Sequence, residues 1–428
     1  MMLTLLEEMN KRESDGSPVK VAISGTGFIG RGLIIQLSFI KGMRLVAAAN
    51  RTIHKAVAAI EQMKGSPEKA VCVDAAELKK AISEKKIAVV SDPMLLLESG
   101  ADILVDTTGD PISGAMLAMG AIQCGMDFVA NAEMDITFGS VMAAMAKEKK
   151  VVYSGAGGDE PGVILKLYNY VKFLGFDIIA AGKFKGFTDC FANPDSVMPW
   201  ATGYNQSSVK IASFADGTKM SIEMGMVANA LGFVPDIQGM HCPEAPLEAV
   251  KDILKLEKDG GILKKSGVVE VVKGAQPSGG VFVIAHTDHP QIISDMKYYK
   301  MGDGSYYLFY IPYHLCSVEM AEGLAEIALY RSPSIVSRLE PSANVFACAK
   351  KPLKPGDVLD GIGGFSFYGV LDRIEPIISQ NLLPVGLAPG LKVTSRIQPG
   401  EAITLRDVEI DFTKFPYSLW QNCLSVAV

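Results

Sequence analysis

Between Val19 and Ala49 the hydrophobic pattern changes period twice. Val19 to Ile23 is an apolar run of strand length, the residues after Gly30 repeat apolar positions at helical spacing, and an apolar run resumes after Gly42. That order predicts strand, glycine turn, helix, glycine stop and second strand. The alternation continues: Ala101 to Val105 and Asp127 to Ala130 read as strands, Ser113 to Cys124 and Gly139 to Lys149 as helices. A last strand, Val151 to Ser154, leads through the glycine-rich stretch 155–162 into a helix from Val163 to Phe173. Strands alternating with helices predict an α/β fold with a Rossmann-type, doubly wound parallel sheet. From Phe176 the strands lengthen and one helix, Lys219 to Leu231, carries an apolar stripe, which predicts an α+β substrate domain. Ala321 to Tyr330 reads as a helix that packs back on the first domain. From Val345 to Ile410 short strands and glycine turns enclose an internal echo, Leu353-Lys-Pro-Gly-Asp-Val-Leu and Ile397-Gln-Pro-Gly-Glu-Ala-Ile, marking a small β-rich module. The expected division is therefore residues 1–160, 161–335 and 341–428, with a linker around Ser332-Pro and Glu340-Pro.

The turn after the first strand holds Gly25, Gly27 and Gly30 in G-x-G-x-x-G spacing, with Thr26, Phe28 and Ile29 between them. Gly25 suits the tight turn, Gly27 the close approach of a pyrophosphate, and Gly30 the packing of helix on strand. The following helix N-terminus offers backbone N–H groups to phosphates. A bare glycine-rich turn in some other α/β protein lacks this matched strand and helix. At the end of the second strand, where an NAD site carries an acid, the chain reads Asn50-Arg51-Thr52. An arginine fork suits a 2′-phosphate, so the expected cofactor is NADP(H) in preference to NAD(H). Thr107, Thr108 and Gly109, and Asn131, stand at later strand ends, where ligands of open α/β sheets gather.

Composition narrows the function classes. The 428 residues supply enough apolar material for two or three cores, and a net charge of −6 with scattered Lys and Arg excludes a nucleic-acid footprint. Seven widely spaced cysteines without a C-x-x-C pair predict reduced thiols in a cytoplasmic protein and no zinc site. The N-terminus reads as a short amphipathic helix rather than a signal peptide, and the longest uncharged stretch, Pro111 to Met126, is too short for a bilayer. The expected partners are a small-molecule substrate and further copies of this chain, with neither membrane nor nucleic acid.

Lys183 and Lys185 follow an apolar strand, and period-two alternation puts both ammonium groups on one face. Such a pair suits a substrate anion or a carbonyl under reduction, because a developing alkoxide needs positive charge and each ammonium lowers the pKa of the other. The alternative is a solvated strand face. Both lysines are expected to matter for turnover more than for folding. Asp106, Glu133, Asp135, Asp159 and Glu160 fall near strand ends, where carboxylates relay protons or hold a divalent ion such as magnesium or manganese. Capping and turn chemistry account better for Asp135 and Asp159, leaving Glu133 and Glu160 as catalytic candidates. Glu223 sits at the edge of the apolar helix stripe, either paired with a base such as Lys219 or pointing into the cleft. His286 and His289 read as opposite faces of one strand. For His289 and His314 a structural hydrogen bond is the favoured reading. Tyr306, Tyr307, Phe309, Tyr310 and Tyr313 read as packing on a core strand.

The stretches GTGFIGRG, ANRT, VDTTGDP, FVANAEMD, GAGGDEPG, GKFKG, NPDS, TDHP, YYLFYIPYHL and LDGIGGFSFYG occur in an order that resembles the homoserine-dehydrogenase-like oxidoreductases with a C-terminal SAF domain, a small β-clip module. The resemblance covers residues 18 to 410. It implies hydride transfer in a cleft between the first two domains. Some members of that family resemble 1-deoxy-D-xylulose-5-phosphate reductoisomerase in activity. Where homoserine dehydrogenases carry a lysine in an Ala-Asn-Lys motif, this chain has Ala130-Asn131-Ala132-Glu133. The expected activity is accordingly an NADP(H)-dependent oxidoreductase acting on a small polyhydroxylated, anionic carbonyl or sugar-phosphate substrate, with a reductoisomerase as its sharper version. Homoserine-dehydrogenase-type or sugar-acid dehydrogenase chemistry is one alternative. The other is a non-catalytic NADP-binding protein whose SAF module recognises a sugar.

Overall fold

The computed structural model describes residues 2–204 and 206–426; Met1 and the last two residues of the expected C-terminal module lie outside them. The chain forms two compact units. One comprises the chain up to Asp159 together with Leu315–Val336, the other Glu160–His314 and the chain from Ser337 onward.

In the first unit, α1 (Met2–Ser14) precedes β1 (Val19–Ser24), α2 (Phe28–Leu37), β2 (Met43–Ala49), α3 (Ile53–Glu61), β3 (Lys69–Val71), α4 (Ala75–Ser83) and β4 (Ile87–Val90). Then come β5 (Ile103–Asp106), α5 (Pro111–Gln123), β6 (Asp127–Ala130), α6 (Ala132–Lys149) and β7 (Tyr153–Gly155). The strands form one parallel seven-stranded sheet in the order β3-β4-β2-β1-β5-β6-β7. The order reverses between β1 and β5, which is where an open α/β sheet binds its ligand. The sheet's strands are apolar on both faces because helices cover both, and Val21, Ile23, Ile103 and Val105 are fully buried. Cys316–Tyr330, here α13, returns to this unit and packs on α2, burying Met320, Ala321 and Leu324 against the Leu33–Ile34–Leu37 face. A Cβ on Gly32 of α2 would lie 2.3 Å from Ser317 Oγ, so glycine permits that approach.

The second unit contains α7 (Glu160–Phe173), β8 (Asp177–Lys185), α8 (Met198–Gly203), α9 (Ser208–Ala215), α10 (Thr218–Leu231) and β9 (Val234–Pro235). It continues with α11 (Val250–Ile253), β10 (Val268–Lys273), β11 (Val281–His286), α12 (Pro290–Tyr298) and β12 (Tyr306–Ile311). Its mixed sheet runs β12-β11-β8-β10-β9, placing β8 at the centre. The α+β expectation for this segment agrees with that sheet. Gly182 is what lets β10 come alongside β8, since a Cβ there would lie 1.8 Å from Glu270 O. Phe184, on the opposite face from Lys183, stacks on Phe282 at 5.1 Å between centroids within the core that also takes Val250 and Leu254.

The C-terminal segment of this unit pairs β13 (Ala343–Ala349) with β14 (Phe367–Arg373) antiparallel, and isolated bridges tie the remaining turns. The two echoed segments meet each other: Leu353 and Ile397 exchange backbone hydrogen bonds of 2.9 and 3.1 Å. The module packs on α10 through Ser221 Oγ, which donates to Gly369 O at 3.1 Å, and Thr218 Oγ1, which accepts Gly369 N–H at 2.8 Å.

Three local expectations differ from the structure. The helix read from Gly139 starts at Ala132, because Asn131 Oδ1 accepts the Met134 N–H at 2.9 Å and caps it. Asp135 is therefore neither cap nor turn; it is buried and accepts the Tyr153 hydroxyl at 2.7 Å. His286 ends β11 whereas His289 precedes Pro290 and caps α12, so the two histidines do not share a strand.

Candidate functional site

The nucleotide turn belongs to the first unit. Gly25 has a φ of +89°, and a Cβ on Gly30 would lie 2.1 Å from Gly25 O, so both positions require glycine. Thr107 Oγ1 donates into this turn, within 3.0 Å of Ser24 O and 2.9 Å of Gly25 O. Asn50 Oδ1 accepts the Thr26 N–H at 3.2 Å while its Nδ2 donates to Thr52 O at 2.9 Å, which ties the end of β2 to the turn. Phe28 and Ile29 open α2, the first exposed and the second packed against the core.

Two features show that this turn fits a dinucleotide. A Cβ on Gly27 would meet nothing within 4 Å, so the space above it is open, and no side chain caps α2 there. Thr26 Oγ1 is buried without a hydrogen-bond partner among the described residues. A pyrophosphate bound here would satisfy both the helix N–H groups and that hydroxyl. Arg51 is exposed at the end of β2, and its guanidinium has no partner among the described residues.

Around the switch point the remaining candidates form a polar shelf. Asn131 Nδ2 donates to Asp106 Oδ2 at 2.6 Å, and the Thr108 N–H reaches Asp106 Oδ1 at 3.1 Å. Burial pushes the Asp106 carboxyl up to about 6, against the lowering effect of those hydrogen bonds. Gly109 has a φ of +72°, and a Cβ there would lie 3.7 Å from Glu133 Oε2. Glu133 is half-buried in the first turn of α6.

The other cluster lies within the second unit. Helices α7 and α10 lie against the mixed sheet, and Lys183 of β8 points at them. Its ammonium donates to Glu160 of α7 and, at 2.6 Å, to Glu223 Oε2 of α10. The three side chains are 6%, 10% and 2% exposed. Lys219 Nζ lies 3.8 Å from the other oxygen of Glu223. His314 donates from Nδ1 to Gly279 O at 2.8 Å, since a carbonyl accepts only, and its Nε2 lies 3.4 Å from Glu160 Oε2. The favoured hydrogen-bond reading of His314 holds, but the same ring also touches a catalytic candidate.

Burial by itself pushes the Lys183 ammonium down, but Glu160 and Glu223 outweigh it and hold it above the ordinary lysine range. Lys183 is thus a fixed cation and no proton donor near neutrality. Lys185 is the opposite case. Its ammonium has no hydrogen bond or ion pair among the described residues and lies 5.9 Å from the centroid of the Phe214 ring. Burial, followed by the charge of Lys183, holds its pKa below the ordinary lysine value. The equal lysine pair expected from strand alternation is therefore unequal, and the expectation that Lys183 matters little for folding gives way to its two buried acid partners.

Residues 158–320 match the family model described as the catalytic domain of oxidoreductase DRL. No curated protein matches the chain. Among solved structures, a probable dehydrogenase from Thermotoga maritima is similar at 11% identity and a TM-score of 0.41, covering 74% of this chain and 91% of its own. A scyllo-inositol dehydrogenase from Lactobacillus casei, solved with NAD(H) and scyllo-inositol, is similar at 14% identity and a TM-score of 0.38, covering 69% of this chain and 76% of its own. The glycine turn at the switch point and the matched catalytic segment define the class: the protein is an NAD(P)-dependent oxidoreductase. Among the described residues no helix is long and apolar enough to cross a membrane.

Proposed function

We propose that this protein is an NADP(H)-dependent oxidoreductase that interconverts a carbonyl and an alcohol on a small polyhydroxylated substrate carrying an anionic group. The observation that carries the reading is the division of labour in the second unit: Lys183 locked between Glu160 and Glu223, beside an unpaired Lys185 of lowered pKa. The nicotinamide, when bound, supplies or accepts the hydride. Lys185 donates a hydrogen bond to the substrate oxygen and passes a proton to it as alkoxide charge develops. Lys183 holds the Glu160 and Glu223 carboxylates in place through its hydrogen bonds to both. Glu160, whose Oε2 lies 3.4 Å from His314 Nε2, connects the cluster to the imidazole.

A ketol rearrangement before reduction is the second reading, supported by the carboxylates Glu133 and Glu160 and by the resemblance to reductoisomerase-like enzymes. It requires a divalent cation to hold two vicinal oxygens. Because Lys183 already lies between Glu160 and Glu223, a cation at those acids would have to displace it, which favours plain carbonyl reduction. The SAF reading of the C-terminal module, residues 341–428, belongs to this proposal too, as does assembly into a homo-oligomer in the cytoplasm.

NADPH and NADH oxidation with keto sugars, keto-sugar phosphates including 1-deoxy-D-xylulose 5-phosphate, and aspartate semialdehyde, with and without magnesium or manganese, tests the reading. Turnover is expected with a hydroxylated ketone, with an alkaline limb in kcat below the ordinary lysine pKa of about 10.4. The sign follows from Lys185: its protonated form is the donor, so activity is lost as pH rises through its lowered pKa. Lys185→Met should abolish that limb and cost on the order of hundredfold in kcat. An unchanged pH profile and rate in this variant would remove Lys185 from the chemistry.

Arg51 should set the nucleotide preference. Losing a charge-assisted phosphate contact costs about 1.5 to 3 kcal/mol, so Arg51→Ala should weaken NADPH roughly tenfold to hundredfold and leave NADH nearly unchanged. Equal losses for both nucleotides, measured by fluorescence titration, would show that Arg51 does not read the 2′-phosphate.

A further inference from the structure

Two residues beyond Lys185, the second unit opens into a cavity of about 560 Å³. That volume suits a small ligand. Phe187 and Asp189 line it from the loop after β8, Asp216 and Ser221 from the start of α10, and Tyr368 and Val370 from β14. The C-terminal module thus supplies one wall and the segment that carries the lysines the other.

The lining chemistry is specific. Among the described residues no lysine or arginine lines the cavity. Asp216 is neutralised in place, its Oδ2 2.7 Å from the buried Lys350 Nζ and its Oδ1 accepting the Thr218 N–H at 2.7 Å. Asp189 is exposed and commits Oδ1 to the Phe191 N–H at 3.0 Å, which leaves Oδ2 as an acceptor for a ligand. Ser221 spends its proton on Gly369 O and offers an acceptor oxygen. Phe187 is half exposed, and the Tyr368 ring, braced edge-on by Phe191 at 6.3 Å, adds a second apolar surface. Acceptors without a cation repel phosphate and receive hydroxyl donors, while aromatic faces cover the C–H side of a sugar chain.

We infer that this cavity seats the uncharged, hydroxylated end of the substrate, so that the C-terminal module is part of the substrate site. The inference rests on the proposed oxidoreductase reading for the position of the reacting carbonyl at Lys185. It divides the substrate chemically: the carbonyl and any anionic group belong with the lysine cluster, the neutral hydroxyls with Asp189, Ser221 and the aromatic walls.

The test is calorimetric titration of the full chain with D-xylulose, a neutral hydroxylated ketone, followed by NADPH oxidation with the same sugar. Wild type should bind D-xylulose, and Val370→Trp, which fills the cavity from β14, should weaken binding at least tenfold with NADPH affinity unchanged. Asp189→Asn, at an exposed position that keeps the Oδ1 turn bond, should weaken it about fivefold, the difference between a charged and a neutral acceptor, and so decides the matter if the tryptophan variant does not fold. Absence of binding to wild type, or binding unaltered in both variants, overturns the inference. Binding that depends on Val370 and Asp189 without NADPH oxidation would leave the cavity assignment standing and sink the oxidoreductase reading for this sugar; oxidation with an unchanged KM in both variants would do the reverse.

Discussion

Lys183→Met should cost both folding stability and turnover. The substitution leaves Glu160 and Glu223 buried and facing each other without the cation between them. Breaking a buried pair from one side costs about 3 to 5 kcal/mol, and removing an electrostatic element of the site costs on the order of hundredfold in rate. Urea unfolding should show a lower midpoint at unchanged slope, and NADPH oxidation should fall together with it. Adding Glu223→Gln removes one of the stranded charges and should recover a large part of the stability with none of the activity. Recovery of both would mean that the cation serves folding alone. An unchanged midpoint in the single variant would show that the three side chains are not packed as a charged triad in solution.

The second large effect is expected at Lys350, far from the nucleotide turn in sequence. Its side chain is 2% exposed, forms an ion pair with Asp216 at 2.7 Å and donates to Ala192 O at 2.7 Å and Gly364 O at 2.8 Å. One side chain thus ties β13 to the loop after β8 and to the start of α10. Lys350→Met should destabilise the protein by about 3 to 5 kcal/mol near neutral pH. Burial already holds the Asp216 carboxyl above its ordinary value in spite of Lys350. Without the lysine that carboxyl takes up a proton more readily, so the loss should shrink as the pH falls. Asp216→Asn in the Lys350→Met background should restore part of the stability at neutral pH. A double-mutant cycle read by urea unfolding checks this: a coupling near zero would make the pair dispensable.

Much of the first unit was legible because its determinants are local. Gly25, Gly27 and Gly30 act through backbone conformation and close approach within a single turn, and the apolar runs on either side declare their own period. The helix starts at Ala132, earlier than the expected Gly139, because the Asn131 side-chain carbonyl caps it. A capping residue and a ligand at that position share the same residue types, and sequence alone does not separate them. The module echo was visible as repetition, but that Leu353 pairs with Ile397 is a tertiary fact.

The lysine–acid cluster shows the limit more sharply. Glu160, Lys183 and Glu223 lie 23 and 40 residues apart on α7, β8 and α10, and each by itself reads as a surface charge or a helix-end acid. Period-two alternation put Lys183 and Lys185 on one face, since side-chain direction along a strand is set by the backbone. It carried no information on what covers that face. The helices that close over β8 decided that one lysine became a buried, permanently charged clamp and the other an unpaired group of lowered pKa. The sequence by itself determined the α/β class, the glycine turn and the face on which the lysines stand, because these follow from backbone geometry and hydrophobic period over a few residues. Only the tertiary structure decided how the charges pair, because the energy of a charge depends on burial and on partners within a few ångströms, which distant segments of the chain supply.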